Sequence, residues 1–335
     1  MTRVDNRTVS DDEAGMRLDR WFKGHFPALG HGQLQKLLRK GQIRLDGHRA
    51  KANDRVEAGQ TIRIPPMPDE PAARESGPNP RKYTISDADR EMLASCILHR
   101  DDAVIVLNKP PGLAVQGGSG TTRHLDGMLD ALISSKGERP RLVHRLDKDT
   151  SGVLILAATA KAARFLTSAF RTKDVRKLYW ALVNGVPDPL SGRIDLALSK
   201  SSVAGRTSGR EQMIPDLEDG KRATTYYVVQ ERAGRALAWV AMEPITGRTH
   251  QLRVHMAETG TPIIGDGKYG GELAFPEIDG ISGALHLHAV ATRFPHPGGG
   301  HLAISAALPP HMLNSWKAFG FQASDHSYFD DWWAM

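Results

Sequence analysis

The stretch Arg141-Leu-Val-His144-Arg145-Leu146-Asp147-Lys148-Asp149-Thr150-Ser151-Gly152 runs directly into Val153-Leu-Ile-Leu156. Polar, turn-rich chain ahead of an apolar run predicts a loop that delivers a carboxylate to the lip of a buried strand, where catalytic groups tend to sit. The flanking cations Arg145 and Lys148 favour ionised Asp147, which suits it to nucleophilic attack or proton removal rather than proton donation. The same fragment alone also describes a surface salt bridge or a turn cap. The rest of the chain has to decide between them.

At 335 residues the chain is long enough for about two domains of about 150 residues each. It carries 44 Lys and Arg against 38 Asp and Glu, a formal charge of +6, which leans toward an acidic partner. One cysteine, Cys96, excludes an intrachain disulfide and a thiolate cluster and fits a reducing cytoplasm. The polar start Met1-Thr-Arg-Val-Asp-Asn-Arg7 lacks the apolar segment of a secretory signal, and no apolar run is long enough for a membrane span. A soluble, cytoplasmic monomer is expected.

Residues 1–15 are polar and read as a flexible arm. From Met16 the spacing turns helical, with Leu18, Trp21 and Phe22 on one helix and Leu34, Leu37 and Leu38 on a second that Gly41 closes. Ile43-Arg-Leu45, the Asp46-Gly47 turn and the segment from Arg49 to Lys51 predict a hairpin, and Thr61-Ile-Arg-Ile64 a further strand. Residues 17–65 hold eleven Lys and Arg against four Asp and Glu, a balance of +7 that accounts for the entire positive excess. Lys36, Arg39, Lys40 and Arg44 gather on the helix end and the hairpin, a compact footprint for phosphates where a solvated face is the alternative. Residues 16–65 are thus expected to form a small α/β domain, and the prolines from Pro65 to Pro80 mark residues 66–96 as an extended linker.

Residues 97–322 alternate between the two periodicities. Strands are expected at 104–107, 178–183, 223–230, 236–243, 285–294 and 302–305, helices at 159–171 and 310–319, and a long loop at 199–220. A second chemically loaded stretch, Thr246-Gly247-Arg248-Thr249-His250-Gln251-Leu252-Arg253-Val254-His255-Met256, predicts one short helix ending at Gly260, with His250 and Arg253 on a shared face. Residues 323–335 are left as a tail containing Trp332 and Trp333, without an assigned role.

Several chemistries fail on spacing. His250 and His255 are five apart with no Glu between them, unlike a zinc hydrolase helix. Asp147 and Asp149 lie too close in one loop to flank a sugar from opposite faces, and no Gly-x-Ser-x-Gly elbow supports a serine triad. Asn108-Lys109-Pro-Pro-Gly112 lacks the glycine spacing of a nucleotide-binding loop. An anionic acid, many cations and a basic module remain.

Four motifs in order then resemble those of the RluA/RluC family of RNA pseudouridine synthases. They are His144-Arg-Leu-Asp147-Lys-Asp-Thr-Ser-Gly152, Lys177-Leu-Tyr179-Trp-Ala-Leu-Val183, Gly247-Arg-Thr-His-Gln-Leu-Arg253-Val-His255, and Leu287-His-Ala289 with His296-Pro297. Leu34-Gln-Lys-Leu-Leu-Arg-Lys-Gly-Gln-Ile-Arg-Leu-Asp-Gly47 is similar to an S-four-type RNA-binding domain. The resemblance implies an α+β fold with a mixed, mainly antiparallel central sheet and flanking helices, and an N-terminal RNA-binding domain. It further implies a uridine isomerase without metal or cofactor, most specifically one acting on large-subunit ribosomal RNA. Transfer RNA as substrate, or a non-catalytic ribosome-assembly factor, are the alternatives. By carry-over Asp147 is the nucleophile, attacking ribose C1′ or base C6. Arg253 would pair with Asp147 and hold it ionised, Tyr179 would stack on the uracil and help remove the C5 proton, and Arg145 would fill the place of the flipped base. Gln116, where many members carry His, and Thr292, where an apolar residue is commoner, depart from the pattern.

Overall fold

The computed structural model describes residues 4–66, 83–118, 121–135, 137–201, 212–322 and Trp332. The chain divides into two compact units, Met1–Arg81 and Lys82–Met335. In the first, helices α1 (Leu18–His25) and α2 (His31–Arg39) cover a four-stranded antiparallel sheet. Its strands are β1 (Asp5–Thr8), β2 (Arg44–Leu45), β3 (His48–Arg49) and β4 (Thr61–Ile64), in the order β1-β4-β2-β3. Leu18, Trp21, Phe22, Leu34, Leu38, Ile43, Ile62 and Ile64 form the core beneath the helices, the apolar face that helical spacing dictates.

The flexible arm expected at the N-terminus is corrected here. Residues from Asp5 to Thr8 pair with Ile64 back to Thr61, and Val9 is buried. An edge strand made of Asp-Asn-Arg-Thr is held by backbone hydrogen bonds, so it leaves no apolar alternation to read. The expected linker needs a similar correction at its end. Residues 67–82 lie outside the described ones, but Asp87–Ser95 is a helix, α3. Ser86 caps it by accepting Asp89 N–H at 3.2 Å, while the Asp89 carboxylate accepts Ser86 N–H at 3.1 Å. That capping box is visible in the sequence as Ser86-x-x-Asp89, and the proline-rich composition upstream masks it.

The second unit is built on a ten-stranded sheet among the described residues. Its strands are β5 (Ile97–Arg100), β6 (Val104–Lys109), β7 (Arg141–Leu142), β8 (Ser151–Ala157), β9 (Arg176–Asn184), β10 (Ser191–Asp195), and then β13 (Thr224–Ala233), β14 (Leu237–Pro244), β15 (Leu287–Pro295) and β16 (His301–Ser305). The main path runs β10-β13-β14-β9-β15-β8-β6-β5, with β7 beside β8 and β16 beside β15. Every pairing is antiparallel except that of β15 with β8. The mixed, mainly antiparallel architecture expected from the resemblance is the one observed.

Period-2 alternation sorts the core onto the two faces. Along β6 and β8, Ile105, Leu107, Leu154 and Leu156 join one cluster. Val104, Val106, Val153 and Ile155 join another with Ala162 and Leu166 of helix α5 (Ala160–Thr172). Along β9 and β14, Trp180, Leu182 and Trp239 pack with Met312 and Trp316 of the last helix (Pro310–Phe319), while Ala181, Val183, Val240 and Met242 pack with Leu252 and Met256 of helix α6 (Gln251–Glu258). Between α4 (Leu125–Met128) and that last helix, α7, the sheet is therefore covered on both sides.

Two further expectations change. Within the loop expected at 199–220 lies most of a small ribbon in which β11 (Leu198–Lys200) pairs with β12 (Met213–Pro215), and residues 202–211 lie outside the described ones. Of the tail, only Trp332 is described; it is 6% exposed within the tryptophan cluster and donates its indole N–H to Glu243 at 3.1 Å.

Candidate active site

A single row of residues crosses the centre of the sheet. Tyr179 on β9 lies opposite Ala289 on β15, Ala289 opposite Gly152 on β8, and Gly152 opposite Lys109 on β6. At Gly152 the backbone has φ 109° and a Cβ would stand 2.2 Å from the Ala289 carbonyl oxygen, so only glycine lets the parallel strand approach. The loop ahead of Gly152 carries Asp147, and the approach sets Asp147 and Tyr179 on the walls of one cleft of about 460 Å³.

Three anchors hold the Asp147 loop. Leu146 is 6% exposed and packs into the core below. The ring of His144 accepts Ile155 N–H at 2.8 Å through Nε2 and stacks on Phe170 with centroids 4.5 Å apart. Burial and then the nearby Lys177 charge push its pKa down to about 3, so this histidine is a neutral acceptor and no proton shuttle. The third anchor is Lys109, buried, whose Nζ donates to the carbonyls of Pro110, Leu113 and Lys148, each at 2.9 Å. Burial lowers its pKa to about 7 against the pull of Asp149 and Asp147. Three carbonyl acceptors match the three N–H bonds of the ammonium form, which ties the Asp147 loop to the end of β6. Spacing alone excluded Lys109 from a nucleotide loop but did not show this bracing role.

The second motif enters from the other side. Gln251 fixes the turn ahead of α6: its Oε1 accepts from Thr246 Oγ1 at 2.6 Å and Arg248 N–H at 3.1 Å, and its Nε2 donates to Thr224 O and Thr225 Oγ1, each at 2.9 Å. This closes the turn so tightly that His250, at φ 52°, stands before the helix and not on it. The shared helical face expected for His250 and Arg253 does not form. The two motif loops meet where Arg145, exposed, donates to Thr249 Oγ1 at 3.1 Å, and where His250 Nε2 comes within 3.9 Å of Asp147 Oδ1.

The direct ion pair expected between Arg253 and Asp147 is corrected. Arg253 donates to both oxygens of Asp266, Nε to Oδ2 at 2.8 Å and Nη2 to Oδ1 at 2.6 Å, and its guanidinium lies 5.2 Å from the centre of the Tyr269 ring. A buried carboxylate thirteen residues on offered a bidentate partner that the sequence did not single out. Arg253 still acts on Asp147 through its field. Burial raises the Asp147 pKa above the ordinary carboxylate value, and Arg253, then Arg145, then Lys109 work against that rise, with Asp266 adding to it. Reading the flanking cations alone gave the wrong net direction, because the sequence hides the desolvation. Tyr179, lining the same cleft, is raised well above the ordinary phenol value by burial and by the Asp147 charge, so it presents a neutral hydroxyl.

The site thus offers one partly buried carboxylate, a flat phenol in the same cleft, and basic walls that include Arg145, Lys177, Arg248 and Arg253. It is suited to covalent chemistry on a planar, uncharged ring carried by a polyanion. Lys36 and Arg39 on α2, Lys40 at its end and Arg44 on β2 are exposed on the first unit and are not among the residues of this cleft. Among the described residues no three His, Cys, Asp or Glu side chains group as metal ligands.

Residues 103–258 match a family model described as RNA pseudouridylate synthase. The ribosomal large subunit pseudouridine synthase C of Vibrio cholerae is 35% identical over 319 residues, covering 93% of this chain and 95% of that protein. The Escherichia coli K12 protein of the same name is 36% identical over 302 residues, covering 88% and 89%. Among solved structures, human RNA pseudouridylate synthase domain containing 4 superposes with a TM-score of 0.57 at 28% identity, covering 70% of this chain and 97% of that one.

Proposed function

The chain belongs to the RNA pseudouridylate synthase family, and from that premise we propose that it isomerises a uridine of large-subunit ribosomal RNA to pseudouridine, with Asp147 as the nucleophile. The likeness to relatives named for the large ribosomal subunit, over nearly their whole length, favours this substrate above transfer RNA. One observation carries the residue assignment: Asp147 is the one Asp or Glu among the residues lining the cleft, and Tyr179 lines the same cleft.

The reaction breaks the N1–C1′ bond, turns the uracil and forms a C5–C1′ bond, while a proton leaves C5 and N1 gains one. No electrons leave the substrate. A partly buried carboxylate, with Arg253, Arg145 and Lys109 offsetting part of the effect of its burial, is a reactive anion that attacks C1′ or C6. The neutral Tyr179 supplies a stacking surface for the uracil and a hydroxyl beside C5. Reaching the target means unstacking it, at a cost of a few kcal/mol, and the planar guanidinium of Arg145, which is exposed, would stack in the vacated position. Lys36, Arg39, Lys40 and Arg44 hold RNA phosphates on a first unit of the S-four type, its sheet including the strand Asp5–Thr8, in a cytoplasmic, monomeric enzyme.

The test is Asp147→Asn. RNA binding persists, and tritium release from C5-labelled uridine in a large-subunit RNA fragment stops. Release at the wild-type rate would mean that another group is the nucleophile. Pseudouridine mapping of ribosomal and transfer RNA from a deletion strain separates the substrates: sites lost only from transfer RNA would overturn the ribosomal assignment.

A further inference from the structure

His250 stands between the two motif loops with a polar group in front of each ring nitrogen. Nε2 faces Asp147 Oδ1 at 3.9 Å, and Nδ1 lies 2.6 Å from the hydroxyl oxygen of Tyr269. That oxygen also accepts the backbone N–H of Met213, at 3.1 Å, from β12. A phenol has one proton, and among the described residues the acceptor within its reach is His250 Nδ1. The reverse arrangement, with Nδ1–H donating to Tyr269, would leave the phenol proton without an acceptor among the described residues and aim the Nε2 lone pair at a carboxylate oxygen. The geometry therefore selects the tautomer with the proton on Nε2, directed at Asp147.

The ring is neutral as well as oriented. Burial and the cations Arg253, Lys268 and Arg145 that surround it push its pKa down to about 3, against the opposing pull of Asp266. Arg145 belongs to the Asp147 loop, Arg253 to α6, and Asp266, Lys268 and Tyr269 to the loop after α6, so charged groups from all three sides bear on it. A neutral N–H donor beside the carboxylate can orient it without cancelling its charge.

We propose that His250 is a positioning residue for Asp147, its tautomer set by Tyr269 and Tyr269 in turn held by the backbone of β12. This rests on the reading of Asp147 as the nucleophile. At 3.9 Å the pair is not yet hydrogen-bonded, and closure by about 1 Å in the RNA complex brings Nε2–H to bonding distance of the carboxylate. The held oxygen stays still while the other attacks. The β11–β12 ribbon thereby gains a connection to the reacting group: Met213 N–H, Tyr269 O–H, His250 Nε2–H, Asp147.

A donor to a carboxylate favours its ionised form, so removing it moves the Asp147 titration upward. Two substitutions separate donor from bulk. His250→Leu removes the N–H; His250→Gln keeps one near the Nε2 position, and both meet the same left-handed backbone. In single-turnover reactions of the full chain, His250→Leu shifts the acid limb of the rate profile upward by about one pH unit and slows the plateau about 10- to 100-fold, with RNA affinity unchanged within about threefold. His250→Gln restores most of both, and Tyr269→Phe shifts the limb in the same direction by less. Nitrogen-15 NMR of the labelled wild-type protein reads the tautomer without any variant: Nε2 protonated and Nδ1 bare from pH 8 to 5, with the preference lost in Tyr269→Phe.

A wild-type ring that is protonated on Nδ1, or that titrates near pH 6, overturns the proposal. So does a folded His250→Leu with an unmoved acid limb when Asp147→Asn is inactive. If Asp147→Asn is itself active, the nucleophile assignment falls instead, and the NMR result still decides whether Tyr269 sets the tautomer.

Discussion

Gly152 shows how far one residue can fix a site. Its missing side chain is where the Ala289 carbonyl passes, 2.2 Å from the Cβ that any other residue would bring, and its φ of 109° is strained for every other residue. Gly152→Ala must push β15 from β8 along the row that joins Tyr179 to the Asp147 loop. We expect a loss of about 3 kcal/mol or more of stability by urea denaturation, and activity reduced beyond what the remaining folded fraction explains. A variant of wild-type stability with full activity would show that the strands separate at no cost to the site. The motif containing Gly152 was legible in sequence, because polar chain running into Val153-Leu-Ile-Leu156 marks a loop on a buried strand. The partners of its side chains were not. Asp266, which takes both nitrogens of Arg253, stands in a glycine-rich turn that offers no periodicity, and His250 takes its role from a left-handed backbone angle that no spacing rule reports.

Elements with a strong period were read correctly and those held by backbone pairing were not. The last helix, Pro310–Phe319, and strands such as Leu237–Pro244 follow their apolar patterns to within a residue or two. The edge strand Asp5–Thr8 and the ribbon of Leu198–Lys200 with Met213–Pro215 carry polar or mixed side chains, and only register reveals them. On α2 and the following hairpin, the buried face of Leu34 and Leu38 leaves Lys36, Arg39 and Lys40 exposed together. Replacing those three by Ala in the full chain removes about three phosphate contacts without touching the core. RNA affinity then falls at low salt, and the slope of log affinity against log salt flattens by about 2, since each contact on single-stranded RNA contributes about 0.7. The single-turnover rate at saturating RNA stays within about twofold, because the carboxylate is elsewhere. An unchanged slope would remove this face from the RNA footprint.

At the scale of the whole molecule, the histidines that failed as metal ligands make the second unit sensitive to acid. His144 and His250 are held down to about 3, and His255, His286 and His288 to about 4, burial being the leading cause in each. His286 donates through Nδ1 to Ala284 O at 2.7 Å and accepts from Ser315, and His288 accepts from Ser151 and donates to Ala306 O, so these rings are wired into the sheet as neutral groups. In the unfolded chain each regains a pKa of about 6.5. Below that value the unfolded state binds protons that the folded state refuses, so stability is complete near neutrality and falls as the pH drops toward 4. Each histidine contributes up to about 1.4 kcal/mol per pH unit within that window. Asp147 acts in the opposite sense, since its folded pKa is raised, but it is one group against five. Lys109 has the same sign as the histidines at higher pH: with a folded pKa of about 7 against 10.5 unfolded, it adds stability as the pH rises between those values. Urea unfolding followed by tryptophan fluorescence should therefore show a midpoint that drops steeply from pH 7 to 5, with unfolding underway above pH 4, before most carboxylates titrate. Potentiometric proton uptake on unfolding at pH 5 should approach five protons from these rings. A flat midpoint across that range, or an uptake near one, would mean that the rings already share the solvent.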